Sequence, residues 1–154
     1  MFTIKQRNVP EQTVLTEQRS VRAGELVGFL NGARERLTRS AQDHGGAAGS
    51  WFVVYNGPVS DEAPVPVEVC VPIVGVPPAD VATRTEPAHR EAYVRLRKEQ
   101  VVFPEIQDVY RAIDRWVRSE GLAVAAEPRE VYFADFDAAA PDDEVCDVAF
   151  PVGG

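Results

Sequence analysis

The stretches PVEVCVPIVG at residues 66–75 and EVCDVAFPVGG at residues 144–154 decide the fold of this 154-residue chain. When Pro72 is aligned with Pro151, Glu68 is matched with Asp147, and apolar residues are matched with apolar residues. Runs rich in valine with polar residues at intervals predict strands. Similarity between two distant strands of one chain predicts a duplicated architecture.

Each half of the chain, about residues 1–76 and 77–154, also contains one long amphipathic helix pattern. The patterns cover roughly Gly24–Ser40 and Pro104–Ser119. Their apolar stripes recur at spacings of three and four residues, as a helix with one buried face requires. They comprise Leu26, Phe29, Leu30, Ala33 and Leu37 in the first half, and Ile106, Val109, Tyr110, Ile113, Trp116 and Val117 in the second.

Strand signals surround both helix patterns. Strands are predicted at Phe2–Ile4, Thr13–Arg19, Trp51–Tyr55, Val65–Val74, Val81–Glu86, Glu91–Gln100, Glu130–Phe133 and Glu144–Val152. In each half a βαββ unit follows one further strand, so the predicted fold is α+β, with tandem pseudo-twofold βαββ repeats, an antiparallel sheet and two long helices. No segment has the composition of a linker, and residues 1–154 are predicted to form one domain.

Composition excludes several functional classes. The formal net charge is -8, and nucleic-acid binding needs clustered Lys and Arg, so direct binding to nucleic acid is not expected. No apolar run is long enough for a membrane span and no signal-peptide core is visible, which predicts a cytoplasmic protein without membrane contact. Cys70 and Cys146 lie in apolar runs without metal-ligand spacing, so neither a metal site nor a cofactor is expected.

Glu130 is the first candidate site residue. In the predicted strand PREVYF, alternation places Glu130 and Tyr132 on one face and Val131 and Phe133 on the other. If Val131 and Phe133 face the core, Glu130 is solvated. If Glu130 instead faces a cavity, its desolvated carboxylate favours a cationic or hydrogen-bond-donating ligand, to which neighbouring aromatic rings add cation–π attraction.

The matched acids Glu68 and Asp147 also leave two interpretations open. They lie on the polar outer face of an antiparallel sheet, or they approach each other near a pseudo-twofold axis. The aromatic residues Trp51, Tyr55, Tyr110 and Trp116 are more typical of a core or a half-buried face, and a binding site is the alternative.

The order of several short motifs resembles that of the GyrI-like, or effector-binding, domains, which form the small-molecule pockets of multidrug-sensing MerR-type and AraC-type regulators and also occur as free-standing proteins. The motifs are IKQRNVPEQTVLT at the start, VYRAIDRWVRSEGL ahead of PREVYF, and DVAFPV at the end. The resemblance covers nearly the whole chain. It departs from the family where EQVVFPEIQ lacks the usual glycine, with Phe103 in the aromatic position, and where Asp147 replaces the usual glutamate.

The resemblance implies a central pocket between the two halves, with a buried glutamate as its polar anchor. Glu130 matches that anchor, and further ligand-binding positions are implied at Tyr132, Trp116, Tyr110, Tyr55, Trp51, Phe103, Glu68 and Asp147. The implied ligands are small, hydrophobic and often cationic organic molecules, which the protein would sense or sequester for transcription regulation.

Two alternative functions stay open. Some free-standing members are similar to hydrolases that open the cyclopropane rings of DNA-alkylating compounds, in which case Glu130 and Tyr132 would be catalytic. Others resemble antagonists of gyrase inhibitors, which implies a protein partner. Whether the chain is an enzyme at all is left undecided by its residues.

Overall fold

The structure is a computed structural model, and it describes residues 2–154. Its strands are β1 (Lys5–Val9), β2 (Gln12–Val21), β3 (Trp51–Tyr55), β4 (Val65–Pro72), β5 (Thr83–Glu86), β6 (His89–Arg97), β7 (Ala123–Val124), β8 (Arg129–Tyr132) and β9 (Glu144–Gly153). The helices are α1 (Ala23–Gln42) and α2 (Ile106–Ser119), with a short 3-10 helix at Lys98–Gln100. The strand pairings within each unit below are antiparallel, and the α+β prediction is confirmed.

The described chain divides into two compact units. The first unit is Glu11–Pro87, and the second combines the N-terminal segment up to Pro10 with Ala88–Gly154. The strand order is β3-β4-β2-β5 in the first unit and β8-β9-β6-β1 in the second, where β7 also pairs with β9. Each unit therefore contains a βαββ motif with the same order of strands, as the sequence predicts. The division at residues 76 and 77 stays a prediction.

The first unit is built around α1. Phe29, Ala33, Leu37 and Ala41 form its buried face, four residues apart along the helix. Leu26 and Leu30, which the apolar stripe also includes, are only partly buried. At the C-terminal end, Gly45 adopts a φ of 102°, a conformation that other residues rarely take, and the chain can then leave the helix.

The second unit packs α2 against β6 and β9. Val109, Ile113 and Val117 form the buried stripe, and they meet strand residues such as Val94 and Val148. The helix begins at Ile106 instead of Pro104, because Pro104 lies in a preceding turn whose carbonyl accepts a hydrogen bond from the amide of Gln107.

The predicted strand Glu91–Gln100 is wrong at its end, because residues 98–100 form the 3-10 helix. There the side-chain oxygen of Gln100 accepts a hydrogen bond from the amide of Arg97. The amides of Lys98 and Glu99 donate to carbonyl oxygens of Asp143 and Pro141, so the strand ladder stops at Arg97.

Two further observations concern the described residues as a whole. Cys70 and Cys146 are buried and unpaired, as their apolar surroundings predict. None of the helices within residues 2–154 has the length and apolar character that crossing a membrane demands.

Candidate functional site

The register of β8 against β9 decides the orientation of Glu130. Glu130 lies opposite Val148 and Tyr132 lies opposite Cys146. Val148 belongs to the core beneath α2, so the alternation of the strand turns Glu130 and Tyr132 toward that helix. The alternative in which Val131 and Phe133 face the core is wrong, because the Glu130 side is buried and Phe133 is 38% exposed.

Glu130 is only 6% exposed and accepts two hydrogen bonds from tyrosines. The hydroxyl of Tyr110 on α2 donates to Oε2 at 2.5 Å, and the hydroxyl of Tyr132 donates to Oε1 at 2.7 Å. Each carboxylate oxygen thus has a phenolic donor. Such bonds offset part of the free energy that burial of a carboxylate costs, because hydrogen bonds to charged groups are stronger than those between neutral groups.

Each of the two tyrosines that donate to this carboxylate also packs against a phenylalanine ring. The ring of Tyr110 packs edge-on against Phe150 with 5.9 Å between the centroids. The ring of Tyr132 packs edge-on against Phe136 at 6.3 Å. Tyr110, Glu130, Tyr132, Phe136 and Phe150 are called the Glu130 cluster below. It combines one acidic group with several π faces, the arrangement that attracts organic cations.

Phe136 was not a predicted site residue, because it belongs to the loop between β8 and β9 and no periodicity orients loop residues. Hydrogen bonds within the loop hold it in place: the Asp135 side chain accepts from the amide of Asp137 at 3.1 Å. From outside the loop, Lys98 donates to the carbonyl of Ala139 at 3.1 Å and stands 5.0 Å from the Phe136 ring centroid. The sequence offered one signal, which is a large aromatic residue in a loop whose other residues are mostly small or acidic.

The first unit has a different set of residues at the corresponding place. On β3, Val54 lies opposite Glu68, and on β8, Val131 lies opposite Asp147, so Val54 and Val131 occupy matching positions. By the same register, Val53 corresponds to Glu130, and Tyr55 corresponds to Tyr132. No acid occupies the helix-facing side of β3. Of the two predicted aromatic residues on this strand, Trp51 lies beneath the Arg34 guanidinium, whose carbon is 5.6 Å from the ring centroid.

Glu68 is held in an ion pair inside the first unit. Arg84 on β5 donates from Nε and Nη2 to its two oxygens, both at 2.8 Å, and Thr16 donates at 2.6 Å. Burial alone raises the pKa of Glu68, but the hydrogen bonds from Arg84 and Thr16 outweigh burial and lower it. The side chain is 12% exposed, so the interpretation as a solvated outer face is wrong for Glu68.

Asp147 is held in the same way in the second unit. Arg7 on β1 donates to its Oδ2 at 2.7 Å, and Arg95 donates to both oxygens, at 2.8 and 3.0 Å. The Asp147 side chain is 1% exposed, which again contradicts a solvated face. The strand register shows that Arg7 and Arg84 occupy equivalent positions. Arg7 lies on β1, the outer strand of the second unit, opposite Glu91, and Arg84 lies on β5, the outer strand of the first unit, opposite Val14.

Glu91 extends this network in the second unit. It accepts from Nε of Arg7 at 2.8 Å, and Nε2 of His89 lies 2.8 Å from its other oxygen. Burial raises the pKa of Glu91, but the hydrogen bonds of His89 and Arg7 lower it overall. The carboxylates of Glu68, Asp147 and Glu91 are therefore engaged by cationic side chains of their own unit, which the sequence could not reveal because the partners lie on distant strands.

Two further predicted site residues of the second unit are Trp116 and Phe103. Trp116 is partly buried against the apolar core of the second unit, about a third of a turn around α2 from Tyr110. Phe103 is 71% exposed in the turn before α2. Within residues 2–154 no group of three or more His, Cys, Asp or Glu side chains is arranged to hold a metal ion.

The model of a family described as GyrI-like small molecule binding domain matches residues 2–153. Among curated proteins, no match was found.

Several solved structures share the fold. The C-terminal domain of EcmrR superimposes with a TM-score of 0.81 at 15% identity, over 99% of this chain and 98% of that one. The protein SAV2435, solved with bound tetraphenylphosphonium, has a TM-score of 0.64 at 10% identity, covering 99% of this chain and 94% of that one. A hydrolase from Listeria innocua gives 0.63 at 12% identity, with coverages of 99% and 92%.

Proposed function

Because the chain belongs to the GyrI-like small-molecule-binding domain family, we propose that it binds small, hydrophobic, cationic organic molecules at the Glu130 cluster. One observation carries the proposal: a buried carboxylate on β8 with a tyrosine hydroxyl on each oxygen and aromatic rings on both sides. The biological role would be sensing or sequestration of such compounds.

The buried position of Glu130 favours a ligand of positive charge. A buried carboxylate keeps little of the water that would solvate it, and hydrogen bonds from phenols replace part of that hydration. A hydrophobic cation carries the opposite charge and is itself weakly hydrated, so it loses little hydration when it binds beside the carboxylate. The rings of Tyr132 and Phe136 add cation–π attraction, which strengthens as water is excluded.

One structural neighbour supports the class of ligand. SAV2435 was solved with tetraphenylphosphonium, a cation whose charge is enclosed by aromatic rings. Its identity with this chain is 10%, so the shared fold supports a ligand of this type without fixing the contacts. The aromatic character of the Glu130 cluster in this chain is consistent with such a cation.

Isothermal titration with tetraphenylphosphonium tests the proposal, with triphenylphosphine oxide as a neutral control of similar shape. We expect the cation to bind more tightly than the neutral compound. Glu130→Gln should weaken binding of the cation about tenfold or more while leaving the neutral compound unaffected, because a charge-assisted interaction is lost.

Glu127→Gln is the matched control variant. It removes the same charge three residues away, from an exposed position, and should leave affinity unchanged. Equal weakening by both substitutions would mean that only net charge matters. Full affinity in Glu130→Gln, with the fold intact by circular dichroism, would refute the assignment of Glu130 as the anchor.

Phe136→Ala tests the aromatic side of the cluster. The ring contacts Tyr132 from a loop, and its removal leaves the carboxylate and both tyrosines in place. We expect affinity for tetraphenylphosphonium to fall several-fold with little change in the selectivity for cation over neutral compound, because a cation–π contact contributes about 1 kcal/mol. Unchanged affinity would place Phe136 outside the site.

Hydrolysis of strained electrophiles is a second candidate, favoured by the Tyr110–Glu130 hydrogen bond. Glu130 would accept a proton from water attacking a cyclopropane carbon, and a tyrosine hydroxyl would protonate the carbon released when the ring bond breaks. Mass spectrometry would then detect a product that has gained one water. Turnover that Glu130→Gln abolishes would establish it, and an unchanged substrate would reject it.

A further inference from the structure

Lys98 is one of two lysines in a chain whose other strongly basic residues are arginines. It begins the 3-10 helix that follows β6, and its side chain is partly buried. The neighbouring Glu99 pairs with Arg97, and Lys98 itself forms no ion pair with any carboxylate of residues 2–154. Lysine is rarely buried without a partner, so the groups around this ammonium take the place of a carboxylate.

Those groups belong to the loop between β8 and β9. Nζ of Lys98 donates a hydrogen bond to the carbonyl oxygen of Ala139 at 3.1 Å, and it lies over the ring of Phe136, 5.0 Å from the centroid. An ammonium within about 6 Å of a ring centroid is attracted by the π electrons of that face. The Phe136 ring therefore carries a cation before any ligand binds.

The same ring belongs to the Glu130 cluster. Phe136 packs edge-on against Tyr132 at 6.3 Å, and the hydroxyl of Tyr132 donates to Oε1 of Glu130 at 2.7 Å. A chain of contacts thus connects Lys98 to the carboxylate. A cation bound beside Glu130 and the ammonium of Lys98 are alternatives for the π electrons of this ring, because two positive charges at one ring repel each other.

The base of the loop is held independently of the Lys98 ammonium. The amides of Lys98 and Glu99 donate to the carbonyl oxygens of Asp143 and Pro141 at 2.8 and 2.9 Å. The Asp143 carboxylate accepts from the amide of Ala140 at 2.8 Å. These bonds do not involve Nζ, and the stem of a lysine side chain is flexible, so the ammonium can leave the ring while the loop stays attached.

We propose that Lys98 is a tethered internal cation that competes with organic cations for the Phe136 ring, and thereby determines how tightly the Glu130 cluster binds them. This role of Lys98 rests on the function proposed above. A ligand cation displaces the ammonium from the ring, and the ammonium returns to water, where its compact charge is strongly hydrated. A neutral ligand gains no cation–π attraction at the ring and leaves Lys98 in place. Lys98 therefore weakens the binding of cations and not that of neutral compounds.

Heteronuclear NMR of wild-type protein labelled at lysine tests the displacement, because Lys98 and Lys5 are the two lysines. The ring current of Phe136 shifts the ε-methylene protons of Lys98 upfield, and Lys98→Arg removes this signal and so assigns it. Tetrabutylphosphonium is the probe, since it has no ring current of its own. Titration should move the Lys98 signal saturably toward its position in Phe136→Ala, while the signal of the exposed Lys5 stays unchanged.

Lys98→Met keeps a flexible side chain and removes the charge. It should raise the affinity for tetraphenylphosphonium about fivefold, the ratio that one cation–π contact supplies, and leave the affinity for triphenylphosphine oxide unchanged. Lys98→Arg keeps a cation at the ring, so its affinities should stay within about twofold of the wild type. Lys5→Met is the matched control: it removes the same charge from an exposed position on β1 and should change neither affinity.

A double-mutant cycle separates competition for the ring from simple repulsion between charges. In Phe136→Ala there is no ring to compete for, so adding Lys98→Met should leave the affinity for tetraphenylphosphonium unchanged. A gain that persists in Phe136→Ala would overturn the proposal, as would unaltered cation affinity in Lys98→Met. Should Lys98→Met fail to fold, the wild-type titration decides: a Lys98 signal that stays in place when the site is saturated refutes the competition.

Failure of this role is distinguishable from failure of the Glu130 site. If tetraphenylphosphonium binding depends on Glu130 but not on Lys98, the Glu130 site stands and the competition is refuted. If the cation binds equally to the wild type and to Glu130→Gln, or to neither, the Glu130 site fails and the role of Lys98 fails with it.

Discussion

The two units have the same order of strands and one helix each, yet they differ in the residues that face the helix from the second strand of the βαββ motif. In the second unit, Glu130 on β8 accepts hydrogen bonds from Tyr110 and Tyr132. In the first unit, Val53 takes the place of Glu130, and Arg34 on α1 lies over the ring of Trp51. The same backbone plan thus supports an acidic aromatic site in one unit and a basic aromatic surface in the other.

What the units share is the ion pair between the outer strand and β4 or β9. Arg84 reaches Glu68 in the first unit, and Arg7 reaches Asp147 in the second. Asp147 has an additional partner in Arg95, whereas Glu68 has the hydroxyl of Thr16. Because these pairs occur in both units and are satisfied internally, we interpret them as parts of the fold. The binding site that we propose lies where the two units differ, at the Glu130 cluster.

Substitution of Arg84 is expected to have the largest effect on the free energy of unfolding. Arg84→Met leaves the nearly buried Glu68 without its cationic partner and removes a partner of the buried Glu86, and should lower the free energy of unfolding by about 3 kcal/mol. Arg7→Met should cost less, about 1 to 2 kcal/mol, because Asp147 keeps Arg95 and Glu91 keeps His89. Urea unfolding followed by circular dichroism measures both.

Arg39→Met is the control for this pair of variants, since it removes an arginine from an exposed ion pair worth well under about 1 kcal/mol. Equal destabilisation by Arg84→Met and Arg7→Met would show that the additional partners in the second unit contribute nothing. Losses as small as that of Arg39→Met would show that the buried pairs are no more stabilising than surface pairs.

Acid should destabilise the protein through the same carboxylates. The pKa values of Glu68 and Glu91 are lowered in the folded protein from the usual value of about 4.5, so the folded state binds fewer protons than the unfolded state in this range. Their contribution is complete above about pH 4.5 and is lost as the pH falls through the folded pKa values. Unfolding free energies measured between neutral pH and about pH 3 should therefore decline at the acid end.

Arg84→Met sharpens this prediction. Without its guanidinium, Glu68 has no cation to lower its pKa, so the acid decline should be shallower than in the wild type. An identical pH dependence in both proteins would mean that Glu68 is not among the groups responsible. The contribution of Glu91 should persist in this variant, because its partners His89 and Arg7 belong to the second unit.

The smallest effect concerns the thiols, of which each unit has one. Burial, followed by the charge of Glu68, raises the pKa of Cys70 to about 12, and burial, followed by the charge of Glu130, raises that of Cys146 well above its usual value. Both should react negligibly with a thiol reagent at about pH 8 in the native protein and fully in denaturant. Native reaction of either thiol at the rate of a free thiol would contradict its burial.

Much of the fold could be predicted because periodic patterns are local. The helix stripes and the valine-rich strands were correct in kind, with errors of a few residues where side-chain hydrogen bonds or turns end an element, as at Gln100. The strand β7, with two residues, was not predicted because it is too short to show alternation.

The candidate site was harder to predict. Alternation grouped Glu130 with Tyr132, and the family resemblance pointed to Tyr110, but the sequence left two possible faces for that strand. Phe136 and Arg34 were missed because no local pattern connects them to Tyr132 or Trp51.

By itself, the sequence determined the duplicated βαββ plan, the two amphipathic helices and the family, since hydrophobic periodicity and motif order are properties of neighbouring residues. The tertiary structure alone decided that Glu130 turns toward α2, that Arg84 and Arg7 bind the acids on other strands, and that the matched positions in the two units differ in charge. The reason is physical: the face that a strand buries depends on its register with partners distant in sequence, and burial then determines which charges need a partner.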